Sequence, residues 1–81
     1  MRVDKFLKVS RIIKRRTVAN SACDGGRVSI NGKSVKPSHD IKVGDIIEVS
    51  FGTGKVKAEV LSVAPTVAKA EASGMYRIIE E

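Results

Sequence analysis

The residues best suited to chemistry in this chain are basic and lie close together. Residues 2–16, RVDKFLKVSRIIKRR, hold seven of the fifteen lysines and arginines and one acid, Asp4. The whole chain has a net charge of +6. Clustered positive charge on so small a chain favours a polyanion as partner, nucleic acid before an anionic membrane surface. The candidate binding residues are Arg2, Lys5, Lys8, Arg11, Lys14, Arg15, Arg16 and Thr17.

Residues 2–16 have three competing interpretations: a solvated helix face, an amphipathic helix on anionic lipid, or a phosphate-binding surface. The apolar stripe of Val3, Phe6 and Leu7 is narrow and is needed for the core, which disfavours the lipid interpretation. Arg16 and Thr17 stand where a second helix would start, and free backbone N–H groups there attract anions. We therefore favour a phosphate-binding surface.

The kind of nucleic acid follows from what this sequence lacks. A long recognition helix for the DNA major groove is not predicted, and three aromatic residues are too few for a platform that stacks single-stranded bases. Recognition of folded RNA through its phosphates and shape remains.

Catalysis is disfavoured by the inventory of reactive residues. His39 and Cys23 are the only residues of their types, so they cannot assemble a zinc site, and we expect no catalytic residue, metal or cofactor. Cys23 lies among small residues on a predicted helix and is expected to be a buried, inert thiol. A lone cysteine and the lack of an apolar run of about 20 residues predict a cytoplasmic protein with no membrane partner. Asp4 has two open interpretations: an ion pair with Arg16 or another arginine, or a favourable charge at a helix N-terminus.

The elements that must position these residues begin with two helices. Val3, Phe6, Leu7 and Ser10 share one helical face, which predicts a first helix from near Arg2 to Val9 or Ser10. Residues 10–15 then form a short connection that brings Ile12 and Ile13 into the core. A second helix is predicted from Arg16 or Thr17, with Thr17 as its cap, and it ends at the DGG of residues 24–26. Its predicted apolar face consists of Val18, Ala19, Ala22 and Cys23.

The remaining chain alternates with the period of β-strands. Val28 and Ile30 precede Asn31-Gly32, a strong hairpin signal, and a short strand follows. Further strands are predicted at residues 46–51, 55–63 and 75–79, with a connector that includes a helical turn near residues 68–72. The fold class is α+β: two short N-terminal helices packed on a small, mainly antiparallel sheet.

An ordered set of motifs resembles a known module. RVDKFL, then RRT, then GRVSINGKSVKPSHDIKVGDIIEV are similar, across residues 2–50, to the S4-type RNA-binding domain, named after the fourth protein of the small ribosomal subunit. Val3 stands where that family usually has leucine. The resemblance implies an αL-shaped pair of helices that holds structured RNA, with Arg2 and Arg16 as its best-matched contacts. It also implies a single domain over residues 1–81, with the S4-type core at 2–50 and a C-terminal strand extension at 51–81.

Two families of stand-alone S4-type proteins are then relevant. One is a heat-shock family that binds large ribosomal subunits carrying stalled peptidyl-tRNA, but its members have a basic C-terminal extension, whereas this chain ends in IIEE. The other is the RqcP family of ribosome quality-control factors, which this chain resembles nearly end to end, including KFLKVSRIIKRRT and MYRII.

The RqcP resemblance implies a non-catalytic factor that binds ribosomal RNA and peptidyl-tRNA on the obstructed large subunit. It would work with an RqcH-like tailing factor, touched directly or indirectly, while alanine is added to the stalled chain. We expect a monomer. The alternatives are a heat-shock-type recycling factor and a general binder of structured RNA.

Overall fold

Two helices and a five-stranded antiparallel sheet share one core in the computed structural model, which describes residues 1–65 and 67–79. The predicted α+β class is confirmed. The elements in chain order are helix α1 (Val3–Val9), helix α2 (Arg16–Asp24), β1 (Val28–Ile30), β2 (Lys33–Ser34), β3 (Ile46–Phe51), β4 (Gly54–Val60), a 3-10 helix (Lys69–Met75) and β5 (Tyr76–Ile78).

The sheet has the strand order β2-β1-β3-β4-β5, and all its pairs are antiparallel. Val28 lies opposite Val49, and Ile47 lies between Ile30 and Ala58, so these five side chains share one face. Side chains alternate between the two faces of a strand, and all five on this face are buried. The core side of the sheet is therefore aliphatic, as the alternating pattern predicts.

The opposite face of the sheet carries paired charges. Lys55 lies 3.2 Å from Glu48, and Arg77 on the edge strand pairs with Glu59. Glu48 and Glu59 alternate along β3 and β4 with buried residues, so both ion pairs point away from the core. Basic residues on this face are thus at least partly neutralised.

The predicted hairpin turn at Asn31-Gly32 is confirmed. Asn31 has φ of 52° and Gly32 has φ of 88°, and two successive positive values define the type I′ turn that suits the twist of paired strands. The Asn31 side chain adds a second function, because its Oδ1 accepts a 2.9 Å hydrogen bond from the backbone N–H of Ile46 at the start of β3. The turn therefore also fixes the start of the neighbouring strand.

Helix α1 has the predicted register. Val3, Phe6, Leu7 and Ser10 are all buried, and the helix ends at Val9 with Ser10 as its C-cap, within the predicted limits. Residues 10–15 bury Ile13 and pack Ile12 partly against the core, also as expected. One feature was not predicted: Arg11 turns the chain with a φ of +65°, a left-handed conformation that glycine adopts far more easily than arginine.

Helix α2 has the predicted extent, but two details of its prediction are wrong. Thr17 is not the cap: Arg15 holds that position with an extended backbone and no side-chain cap bond, and Thr17 lies inside the first turn. Val18 is not part of the apolar face: it is 51% exposed, because the buried stripe runs through Ala19 and Cys23. The DGG stop is confirmed, since Gly26 takes a φ of +74° and the N–H of the next residue bonds the carbonyl of Ala22 at 2.9 Å.

The C-terminal part contains the last predicted elements. The helical turn expected near residues 68–72 is the longer 3-10 helix, which places Met75 in the core immediately before β5. Thr66 of the predicted connector and the final Glu80 and Glu81 lie outside the described residues. Over 1–65 and 67–79, every helix is too short or too polar to span a membrane.

We predict that Arg11→Gly stabilises the fold by about 0.5–1 kcal/mol, because glycine avoids the left-handed backbone penalty but increases the entropy of the unfolded chain. Urea unfolding followed by circular dichroism measures the change. Lys14→Gly is the matched control: it removes a nearby exposed basic residue whose φ is not positive, and it should destabilise the protein. Equal stability of the two variants would contradict the strain assigned to Arg11.

Candidate nucleic-acid interface

The carboxylate of Asp4 organises the surface between the two helices. Its side chain is only 2% exposed, yet two arginines reach it from the solvent side. Arg2 donates from Nε to Oδ1 at 3.2 Å and from Nη2 to Oδ2 at 3.1 Å. Arg16 approaches from α2, with Nε 3.4 Å from Oδ2 and Nη2 3.5 Å from Oδ1. One buried anion therefore positions both guanidinium groups that the S4-type resemblance singles out.

Asp4 also acts within its own helix. It lies in the first turn of α1, and its Oδ1 accepts a 2.8 Å hydrogen bond from the backbone N–H of Lys5. A carboxylate near a helix N-terminus interacts favourably with the helix dipole. The two interpretations left open by the sequence are therefore both realised by the same side chain.

The pKa of Asp4 is affected in opposite directions by burial and by the donors around the carboxylate. Burial raises the pKa, but hydrogen bonds from Arg16, from the N–H of Lys5 and from Asn20, with the positive charge of Arg16, more than compensate. The pKa of Asp4 is therefore held below its ordinary value of 3.8. The carboxylate stays ionised at neutral pH and continues to bind both arginines.

The start of α1 is held in place by the loop that precedes β3. Arg2 forms an isolated antiparallel bridge with Asp40, and the N–H of Val3 bonds the carbonyl of His39 at 2.8 Å. The N-terminal ammonium group of Met1 lies 2.6 Å from Asp40. The backbone of Arg2 is thus fixed on one side by the loop, while its side chain is fixed on the other by Asp4.

An open groove of about 540 Å³ runs along this cluster. It is lined by Arg2, Asp4, Arg16, Thr17, Asn20 and Ser21. Asn20 and Ser21 were not singled out from the sequence. Their spacing could have indicated that they line the same surface, because they follow Arg16 and Thr17 by four residues and so lie on the same face of α2. We name these six residues the Asp4 groove.

The start of α2 adds backbone donors beside the Asp4 groove. The N-cap residue Arg15 makes no side-chain cap bond, and the first N–H groups of a helix have no intrahelical partner. Such groups bind phosphate oxygens readily, and Arg16 places a positive charge next to them. The combination is the chemistry of an anion-binding surface.

The other predicted contacts are positively charged but do not line the Asp4 groove. Lys8, Arg11, Lys14 and Arg15 are exposed, and Lys5 is partly buried. Among residues 1–65 and 67–79, none of these five forms an ion pair with a carboxylate. Their charges are therefore available to extend the positive surface of the groove.

The remaining reactive residues lie elsewhere. Cys23 is buried, and desolvation, with the charges of Asp4 and Asp24, raises the pKa of its thiol to about 11. A thiol with that pKa is protonated at neutral pH, which agrees with the inert role predicted for it. His39 is exposed, and the described part of the chain contains no cluster of three or more potential metal ligands.

Comparison with known proteins gives a consistent result. The S4 domain family model matches residues 1–47. The RQC P-site tRNA stabilizing factor of Bacillus subtilis is 52% identical over 81 residues, covering 100% of this chain and 94% of that protein. The factor of the same name from Streptococcus pneumoniae is 51% identical and covers 100% and 92%.

A solved structure supports the fold. The trimeric structure of Vibrio cholerae Heat Shock Protein 15 superposes with a TM-score of 0.90 and 29% sequence identity, covering 98% of this chain and 81% of that chain. Both stand-alone families expected from the sequence are thus represented among the similar proteins.

We predict that Asp4→Asn lowers the free energy of unfolding at pH 7 by roughly 1–3 kcal/mol, because it removes the charge that binds Arg2 and Arg16. The folded-state pKa of Asp4 is depressed, so its contribution is present above the unfolded-state value near 4 and is lost as the pH falls through the lower folded-state value. The stability difference between wild type and variant should be constant above about pH 5 and shrink below about pH 4.

Denaturant unfolding between pH 2.5 and pH 7 measures this difference. The matched control is Asp24→Asn, which changes an exposed aspartate at the end of α2. A loss of stability no greater than that of the control would contradict the role given to Asp4.

Proposed function

This chain belongs to the S4 domain family and, within it, to the RQC P-site tRNA stabilizing factors, and on that premise we propose a role in ribosome-associated quality control. The protein would be a non-catalytic cytoplasmic factor that binds the obstructed large ribosomal subunit through ribosomal RNA and peptidyl-tRNA. It would act as a monomer without a cofactor.

The observation that carries this proposal is the Asp4 groove. Arg2 and Arg16 are half-exposed and are oriented by one buried carboxylate, beside the uncapped start of α2. Guanidinium groups and backbone N–H groups both bind phosphate oxygens, and residues 2–16 hold five further cations. A surface that combines two arginines held in place with further positive charges suits a folded polyanion of defined shape better than an extended single strand.

The proposed mechanism is positional. The Asp4 groove would hold RNA phosphates at fixed places, so that the bound tRNA stays in the geometry required by a separate RqcH-like factor that extends the stalled chain with alanine. The name of the similar bacterial factors, P-site tRNA stabilizing factor, supports a function of this kind. The chemistry of tailing would belong to the partner, because fixing a reactant lowers the entropic cost of a reaction without a catalytic group.

A second candidate is supported by the fold. The TM-score of 0.90 to Heat Shock Protein 15 makes a heat-shock-type large-subunit factor the nearest alternative. The remaining alternative is a general binder of structured RNA, which would have no preference for the ribosome.

We predict that Arg16→Ala lowers the affinity for large ribosomal subunits roughly tenfold or more, because a hydrogen bond between charged groups is lost. The lower affinity is detected as reduced co-sedimentation. The measurement uses separated ribosomal particles at two salt concentrations, with and without excess bulk RNA. Wild-type binding should weaken with salt, and the variant should have a log–log salt slope smaller by about 0.7–0.9, the contribution of one phosphate contact.

Arg77→Ala is the matched control, because it also removes one arginine but on the opposite face of the sheet. It should bind as wild type does. Equal loss in both variants would mean that net charge, rather than the Asp4 groove, determines binding. Release of the wild type by bulk RNA would favour the general RNA binder.

A further inference from the structure

We infer that the side-chain carbonyl of Asn20 accepts a hydrogen bond from a ribose 2′-hydroxyl, so that the Asp4 groove distinguishes RNA from DNA. This inference rests on the proposed RNA-binding function and adds a specificity residue to it. Asn20 was not among the candidate residues predicted from the sequence, and it differs from the seven lysines and arginines among them because it carries no charge.

The orientation of the Asn20 amide is determined by Asp4. Its Nδ2 donates to Asp4 Oδ2 at 3.4 Å, and this hydrogen bond contributes to the lowered pKa of Asp4. The reversed amide would place its oxygen against an ionised carboxylate, which is repulsive. Oδ1 is therefore the end of the amide that remains for a ligand.

The Asn20 carbonyl is open to such a ligand. Asn20 lines the Asp4 groove and is partly exposed. Within the described residues, Oδ1 of Asn20 accepts no hydrogen bond. No buried side-chain nitrogen or oxygen atom there lacks a partner, so this unbonded Oδ1 is reached by solvent. Asn20 thus presents an oriented acceptor in a groove whose two arginines are donors.

An acceptor at this position excludes some ligand groups and favours others. A phosphate oxygen has no proton to donate at neutral pH and would be repelled by Oδ1. The neutral donors of RNA are the ribose 2′-hydroxyl and the amino and ring N–H groups of the bases, and base pairing occupies the ring N–H groups in a duplex. We favour the hydroxyl, because it lies next to the phosphates that Arg2 and Arg16 would hold, and because A-form RNA displays it across a wide, shallow minor groove.

The test compares a synthetic tRNA acceptor-stem hairpin with the same hairpin carrying 2′-fluoro in place of every 2′-hydroxyl. Fluorine removes the donor but preserves the A-form sugar pucker. Wild type should bind the hydroxyl form about fivefold more tightly, the effect of one neutral hydrogen bond. In Asn20→Ala this preference should fall to about one, while the salt dependence of binding stays as in the wild type.

Arg16→Ala is the matched variant with the opposite expected result. It should weaken binding to both hairpins equally, keep the fivefold preference and reduce the salt slope. A preference that persists in Asn20→Ala would overturn the inference. Equal wild-type affinity for the two hairpins, with Asn20→Ala weakening both, would assign the acceptor to a base amino group instead. Failure of the wild type to bind either hairpin at low salt would contradict the proposed RNA-binding function itself.

Discussion

A carboxylate that is almost fully removed from solvent stays charged only where hydrogen-bond donors surround it, and Asp4 meets this condition at the junction of α1 and α2. Its donors come from both helices: Arg2 and Lys5 from the start of α1, and Arg16 and Asn20 from α2. The same contacts that satisfy the buried charge therefore fix the relative position of the two helices. The geometry of the groove is a consequence of satisfying one anion.

The two faces of the sheet differ in a way that explains why the basic surface lies on the helices. On the outer face, Lys55 pairs with Glu48 and Arg77 with Glu59. On the helix side, the 2–16 segment has seven basic residues and one acid, Asp4, which pairs with Arg2 and Arg16. The net charge of +6 is thus concentrated on the helix side for two reasons. Many bases lie there, and the acids Glu48 and Glu59 pair with bases of the sheet instead.

Much of the fold could be predicted because its signals are local. Alternation in β1 and β3, the Asn31-Gly32 turn and the glycine stop after α2 each depend on neighbouring residues, and each is confirmed. Two predictions about α2 failed because they depend on how the helix packs and where it begins. The sequence could not show that Val18 faces solvent beside the buried stripe, or that Thr17 lies within the first turn. The orientation of the Asn20 amide depends on a carboxylate sixteen residues away, and no local pattern contains that contact.

The pairing of Arg2 and Arg16 with Asp4 also has an entropic consequence. A long side chain that becomes fixed at an interface costs roughly 0.5–1.5 kcal/mol of rotamer freedom. In this protein, part of that freedom is already restricted in the free molecule, because both guanidinium groups contact a rigid, buried partner. The cost is therefore carried by folding, and the Asp4 groove has its most directional donors ordered before any ligand binds.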